Sequence, residues 1–167
     1  MLFRSELTST SAEIIKNKEK TGSIITVDDE QNTVELVPTS LYYEFTIKNI
    51  GNTKINDLEN TDLDITIQPH DSLIESSNEI IGFNIFDPDE YDLTGLGYGH
   101  SFASSIETGE EEIFTLHYDI GVDEETPDVS ILVPSQEELE ALTEHALDAT
   151  LIISLEDEEI ARFDMKH

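Results

Sequence analysis

Apolar and polar residues alternate along much of this chain, and the alternation predicts β-strands. In the stretch LYYEFTIK, Leu41, Tyr43, Phe45 and Ile47 alternate with Tyr42 and three polar residues. A period of two puts successive side chains on opposite faces of a sheet. Similar sets recur at Leu63/Ile65/Ile67, Ile81/Phe83/Ile85, Phe114/Leu116/Tyr118/Ile120 and Leu151/Ile153/Leu155.

Polar turns separate these runs and indicate how the strands connect. Residues 24–27 and 34–37 flank the polar turn 28–33, which predicts a hairpin, and Leu151–Leu155 faces Ile160–Met165 across a second turn. Seven or eight short strands of this kind favour a mainly β, antiparallel sandwich. Such sheets have one apolar and one solvated face, so we expect Thr115, His117 and Asp119 to point outward.

Helical patterns are confined to two places. Ser135 and Glu138 form an S-x-x-E capping box, and Leu139, Leu142 and Ala146 follow at helical spacing, which predicts one short helix near 135–147. A second helix is predicted around Ser11 to Lys20, ending at Gly22. The predicted organisation is a polar tether or short helix over 1–22 and one β-domain over 23–167.

The net charge narrows the classes of partner. The chain has 38 acidic and 8 basic residues, a formal net charge of -30, and the 29 acidic residues between Lys54 and Arg162 meet no Lys or Arg. Nucleic-acid binding depends on Lys and Arg at phosphates, so we exclude nucleic acid and, for the same reason, anionic membranes. A saline or alkaline habitat, a cation-rich cell wall and an acidic binding face are three explanations for the charge.

Further compositional features bear on the compartment. Cysteine is absent, which excludes disulfides and thiolate sites, and no apolar run approaches the roughly 20 residues of a membrane helix. Met1–Arg4 is too short for a secretory signal. We therefore expect either a cytoplasmic protein or one whose signal and anchor are removed; the polar stretch SELTSTSAE resembles the tether that follows a lipoprotein anchor.

Three motifs resemble those of a known family. The strand YYEFTIKNIGNTKI, closing on Asn49-Ile50-Gly51-Asn52, resembles the v-x-v-x-n-x-G strand of bacterial immunoglobulin-like surface domains. SIETGEEEIFTLHYDIG is similar to their second element, and ATLIISL with EEIARFDM resembles their final hairpin. Over roughly residues 23 to 165 the chain resembles DUF4352-type lipoprotein domains of Gram-positive bacteria, although Thr108 stands where the family often has Pro.

The resemblance implies an immunoglobulin-like fold and an exported or membrane-tethered accessory module without catalysis. We therefore expect a noncatalytic extracytoplasmic domain, not an enzyme, that recognises a protein or a cell-wall component without inserting into a membrane. Its recognition surface would be the acidic faces and the loop Asp87 to His100. The alternatives are a surface module stabilised by Ca²⁺ and an intracellular inhibitor or regulator with the same fold.

The loop DPDEYDLTGLGYGHS carries the predicted metal ligands. Asp87, Asp89 and Asp92 are hard oxygen donors near a turn, which suits Ca²⁺, although Tyr98 stands where an EF-hand has its bidentate Glu. A solvated acidic loop is the alternative interpretation. Gly95, Gly97 and Gly99 lack the Lys of a nucleotide-binding loop. No other cofactor is expected.

Three further groups have chemistry that could matter. His117 and Asp119 share one strand face and could hold zinc with other histidines, but His70, His100 and His145 follow no zinc-site spacing. Ser101 and Ser104 near His100 lack a nucleophile motif. Tyr91, Tyr98 and Phe102 could form an aromatic binding patch or could anchor their loop in the core.

Overall fold

The computed structural model describes residues 3–56, 63–92, 97–100, 105–122 and 132–166. This part of the chain is mainly β, as predicted, and every strand pair in it is antiparallel. The strands are β1 (Ser5–Ile15), β2 (Ile24–Val27), β3 (Thr33–Leu36), β4 (Thr39–Asn49), β5 (Asp64–Pro69), β6 (Tyr98–His100), β7 (Glu111–Gly121), β8 (Ala149–Leu155) and β9 (Glu158–Asp164). The helices are α1 (Lys18–Thr21), α2 (Asp71–Ile80), α3 (Pro88–Asp92) and α4 (Gln136–His145).

The strands form two larger sheets and one hairpin. The main sheet has the order β1-β4-β7-β6, and the second sheet has the order β5-β8-β9. The separate hairpin β2-β3 and the final hairpin β8-β9 confirm two of the predicted connections. Both neighbours of β4 in the main sheet, β1 and β7, are separated from it by other strands along the chain, so the register of β4 depends on non-local contacts.

The core begins on the strand whose alternation is clearest in the sequence. Leu41, Tyr43, Phe45 and Ile47 are all fully buried on one face of β4, as predicted. Across the β4–β7 ladder, Tyr43 pairs with Leu116 and Phe45 with Phe114. Buried residues of β8, α2 and α4 belong to the same hydrophobic cluster. Burying one large apolar side chain contributes about 1.5–3 kcal/mol, so this shared cluster holds both sheets and helices together.

The predicted helix near 135–147 is confirmed as α4. The hydroxyl of Ser135 accepts from the Glu138 N–H at 3.2 Å, and the Glu138 carboxylate accepts from the Ser135 N–H at 3.0 Å. This capping box satisfies two backbone donors at the start of the helix. Leu139 and Leu142 point from α4 into the core.

The structure corrects the prediction of a tether or helix over residues 1–22. Ser5–Ile15 is a long strand at the edge of the main sheet, paired with β4, and the helix is limited to Lys18–Thr21, where Gly22 does end it. A register shift between Leu7 and Ser9 breaks the alternation of β1. The inward positions after it are Thr10, Ala12 and Ile14, which are too weakly apolar to reveal a strand.

The strand predicted at Ile81, Phe83 and Ile85 is also wrong. These residues follow α2 in a turn, where Gly82 has a φ of 101° that favours glycine. Ser77 in the last turn of α2 donates to the Phe83 carbonyl and accepts from the Ile85 N–H. The loop is thereby held against the helix end with Ile81 and Ile85 buried, which imitates the burial pattern of a strand.

Candidate ligand-binding cleft

A cleft of about 420 Å³ lies between the edge strand β5 of the second sheet and the edge strand β6 of the main sheet. It is lined by Asp64, Ile65, Thr66, Ile67, Ile85, Phe86, Pro88, Tyr91, Tyr98, Leu116, Tyr118, Ser154 and Asp157. Ligand sites usually have volumes of about 300–1,000 Å³, with mostly apolar walls and a few polar groups. The cleft has this size, and its walls are more polar than those of a typical ligand site.

Tyr118 of β7 is the centre of an aromatic group in the wall of the cleft. Its ring centroid lies 5.1 Å from that of Phe86, 5.7 Å from that of Tyr91 and 6.2 Å from that of Tyr98. Phe86 and Tyr91 meet Tyr118 edge-on, whereas Tyr98 stacks on it at an interplanar angle of 20°. Each such pair contributes about 0.5–1.5 kcal/mol beyond its burial, so the wall is preorganised.

Tyr91 anchors the loop that carries this wall. Its side chain is buried, and its hydroxyl donates to the Asp119 carbonyl at 2.7 Å and also lies within hydrogen-bond distance of the Gly97 carbonyl. Burial, together with the nearby Asp119 charge, raises the pKa of Tyr91 well above its usual range. The hydroxyl therefore remains a donor and fixes the loop to β7.

Tyr98 differs from its neighbours because 56% of its surface is exposed. Its centroid lies 6.3 Å from that of Tyr91, so the structure brings these two predicted members of the aromatic patch together. Tyr91 is a buried anchor, whereas Tyr98 is partly exposed in the wall of the cleft. The third predicted member, Phe102, lies outside the described residues.

The polar groups of the cleft are hydroxyls and carboxylates. Thr66 and Ser154 supply hydroxyls, and the exposed residues Asp64 and Asp157 supply carboxylates. Of the described residues that line the cleft, none is a Lys or Arg. A concave surface lined by one sign of charge concentrates its field, so the cleft favours cationic groups.

The predicted Ca²⁺ ligands lie beside this cleft. A carboxylate oxygen of Asp87 accepts from the Asp89 N–H at 3.0 Å, at the start of α3. The side chain of Asp92 lies outside the described residues. Within those residues no three His, Asp or Glu side chains form a metal-binding group, and Ca²⁺ binding by these three residues stays a prediction.

Asp119 lies on the face of the main sheet opposite Tyr118. The prediction that Asp119 points into solvent is wrong. Asp119 shares a strand face with His117, as expected, but it is only 5% exposed and does not point into solvent. Its Oδ1 accepts from the Ser40 hydroxyl at 2.6 Å and lies 3.9 Å from Nε2 of His117. Burial raises the pKa of Asp119, against the opposing effects of Ser40 and His117.

Two glycines of the β6 segment explain this burial. A Cβ at Gly97 would lie 3.0 Å from a carboxylate oxygen of Asp119, and one at Gly99 would lie 2.6 Å from the His117 ring. Because neither residue has a side chain, the backbone approaches β7 closely enough to cover both groups. On the other side of His117, the ring of Tyr42 stacks at a centroid distance of 6.4 Å. Gly97 and Gly99 therefore serve packing, whereas Gly95 lies outside the described residues.

The Ser40, His117 and Asp119 group does not have the geometry of a nucleophilic site. The Ser40 hydroxyl donates to the carboxylate instead of to the histidine, and Ser40 is fully buried. A catalytic serine needs a base that accepts its proton and a path to the substrate. Burial lowers the pKa of His117, and the nearby Asp119 charge opposes this effect.

Two of the other histidines form hydrogen bonds elsewhere in the fold. His70 Nε2 lies 2.9 Å from the Thr150 hydroxyl, and His145 Nδ1 lies 2.9 Å from a carboxylate oxygen of Asp148. Hydrogen bonds from Lys166 and His145 lower the pKa of Asp148 to about 2. The His100 side chain lies outside the described residues.

The sequence alone does not identify most of the residues that line the cleft as parts of a site. Tyr118 and Leu116 appeared in the sequence as core positions, and Asp64, Thr66 and Ser154 as solvent positions of ordinary strands. A signal that could have found Tyr118 is the tyrosine content: Tyr91, Tyr98 and Tyr118 are three of only five tyrosines in the chain. The contribution of β5 depends on sheet order, which the sequence pattern does not reveal.

Comparison with known proteins gives no relatives for this chain. No family model, curated protein or solved structure matches it. Among the described residues, no helix combines the length and apolar character required to span a bilayer.

Proposed function

We propose that this chain is a noncatalytic, extracytoplasmic binding domain that holds a basic segment of a partner protein in the cleft between β5 and β6. The observation that carries the proposal is the cleft itself. It combines a rigid aromatic wall around Tyr118, an exposed tyrosine at position 98 and carboxylates at Asp64 and Asp157.

The chemistry of the cleft favours a cationic ligand. Aromatic faces attract Lys and Arg side chains, and nearby carboxylates add charge-assisted hydrogen bonds. The net charge of -30 repels anionic polymers and attracts basic proteins over longer distances. A protein segment is favoured over a neutral cell-wall glycan because a glycan would not exploit this charge.

The fold and setting that we propose follow the family resemblance. Two antiparallel sheets that share one hydrophobic cluster are consistent with an immunoglobulin-like β-sandwich. The β8-β9 hairpin lies where the resemblance puts the final hairpin of such domains. The buried Ser40 hydroxyl, which donates to Asp119 and not to His117, favours binding over catalysis.

Calorimetric titration of peptides and glycans tests this function. We expect an octapeptide in which valine and lysine alternate to bind, while its valine–glutamate counterpart and soluble peptidoglycan fragments do not. Tyr98→Ala should weaken lysine-peptide binding about tenfold or more, as expected for an exposed aromatic anchor. The matched control is Ile113→Ala on the opposite face of the main sheet, where Ile113 is similarly exposed at 57%.

Besides failure of the lysine peptide to bind, two results would contradict the proposal. One is binding of the glycan fragments without binding of the lysine peptide, which would assign the cleft to a cell-wall polymer. The other is an equal effect of Tyr98→Ala and Ile113→Ala on peptide affinity, which would place the contact outside the cleft.

A further inference from the structure

We propose that the basic segment binds as an additional β-strand on the open edge of β5. This inference rests on the proposed function and adds the mode of recognition. Within the described part of the chain, β5 pairs with β8 on one side and with no strand on the other. The open side faces the cleft.

The lining of the cleft shows that it meets the edge of β5. Four consecutive residues, Asp64 to Ile67, line it. Side chains of a strand alternate between its faces, so a surface that contacts only one face would touch every second residue. A surface that touches each residue in turn passes along the edge, where the backbone N–H and C=O groups are, and this one also extends to Ser154 at the end of β8 and to Asp157 in the turn after it.

The hydrogen-bond register identifies which backbone groups face the cleft. The His70 N–H donates to the Asp148 carbonyl at 2.9 Å, and this bond continues the ladder in which Asp64 pairs with Ser154. In an antiparallel ladder every second residue directs both backbone groups to its partner. Asp64, Thr66 and Gln68 therefore bond to β8, while Ile65 and Ile67 direct their N–H and C=O groups to the open side.

Pro69 limits the length of this edge. It is the next residue on the open side, and proline has no N–H to donate. Only Ile65 and Ile67 within β5 thus offer both a donor and an acceptor to an incoming strand. A site of this size suits a short extended segment, in which main-chain bonds give affinity and alternate side chains give specificity.

The positions of Ile65 and Ile67 also predict the ligand's sequence pattern. Their side chains point into the core, so ligand residues directly opposite them point inward against Leu116 and Tyr118. The intervening ligand residues point outward, on the face of Asp64 and Thr66. The fitting segment alternates apolar and basic residues.

A second copy of this chain does not suit the edge. Two molecules with a formal net charge of -30 each would have to approach closely, with the acidic cleft at the contact. Like-charge contacts of this kind disfavour association. Charge complementarity therefore favours a basic partner at this edge.

Backbone methylation of the valine–lysine octapeptide tests strand addition. In antiparallel addition the valines lie opposite Ile65 and Ile67, and their N–H groups donate to β5. We expect methylation of the valine nitrogens to weaken binding about tenfold or more, and methylation of the lysine nitrogens to change it little. The two peptides carry equal numbers of methyl groups, so each controls for the other.

The other outcomes of the methylation experiment distinguish failure of the inference from failure of the proposed function. The reversed pattern, with loss on lysine methylation, would report parallel addition and still support the inference. Equal affinities of both methylated peptides and the unmodified peptide would overturn strand addition while leaving the binding function intact. Failure of the unmodified peptide to bind would overturn the proposed function and the inference together.

A charge-reversal variant tests which sheet edge binds the peptide. Asp64→Lys at the cleft should weaken the unmodified peptide about tenfold, since it replaces attraction with repulsion. Glu13→Lys on β1, the exposed edge strand of the main sheet, is the matched control and should have a small effect. A larger effect of Glu13→Lys would overturn the assignment to β5.

Discussion

At the scale of single residues, Asp119 shows how burial changes the role of an acidic group. Most acidic residues that the structure describes are exposed, but Asp119 is held beneath the backbone at Gly97 and is bonded to Ser40. Burial raises the pKa of Asp119 because the charged form loses solvation. The folded protein therefore binds this proton more tightly than the unfolded chain does.

Asp119→Asn should stabilise the protein at pH 7, with Tm higher by about 2 °C or more. The amide keeps an acceptor for Ser40 and avoids burying a charge. As pH falls through the raised folded pKa, wild type gains stability and the advantage of the variant shrinks. Thermal unfolding across pH measures this; Glu112→Gln, an exposed neutralisation on the same strand, controls for net charge. Equal shifts in the two variants would contradict the effect of burial.

At the scale of elements, the sequence predicts strands well where buried positions are strongly apolar. The alternation of β4, β7 and β8 is visible because their inward residues are large and apolar. Helix α2 was missed because Ser76 and Ser77 occupy buried positions between its apolar residues. Strand β1 was missed because a register shift and small inward residues weaken its period.

The cleft illustrates why the site was harder to predict than the fold. Loop Asp87 to His100 was expected to contribute, and Pro88, Tyr91 and Tyr98 of this segment do line the cleft. The opposing wall comes from β5, whose open edge is a consequence of strand order. The alternation of apolar and polar residues shows which face of a sheet a residue lies on, but it does not show which strands are neighbours. The exposure of the Ile65 and Ile67 backbone groups at the open edge can therefore be seen only in the fold.

At the scale of the whole molecule, net charge acts on both stability and partner choice. With a formal net charge of -30, the acidic side chains repel one another in the folded state, and salt screens that repulsion. The screening length falls from about 10 Å at 0.1 M to about 3 Å at 1 M ionic strength. The same charge attracts basic partners at low salt, so stability and peptide affinity should respond to salt in opposite directions.

Thermal unfolding in calcium and in magnesium at matched ionic strength separates screening from specific binding. Since Asp87 already accepts a backbone hydrogen bond, we expect similar Tm values in the two salts, both higher than at low ionic strength. Asp89→Asn is the matched variant and should leave this pattern unchanged. A calcium-specific rise in Tm that Asp89→Asn removes would instead support a site at Asp87, Asp89 and Asp92.

Amide hydrogen exchange at β5 tests most directly whether the cleft binds a basic strand. In the free protein, the amides of Ile65 and Ile67 should exchange faster than those of Thr66 and Gln68, which bond to β8. At saturating valine–lysine peptide, we predict that exchange at Ile65 and Ile67 slows about tenfold or more, with little change at Thr66 and Gln68. Unchanged exchange at Ile65 and Ile67 in the peptide-bound protein would contradict strand addition in the cleft.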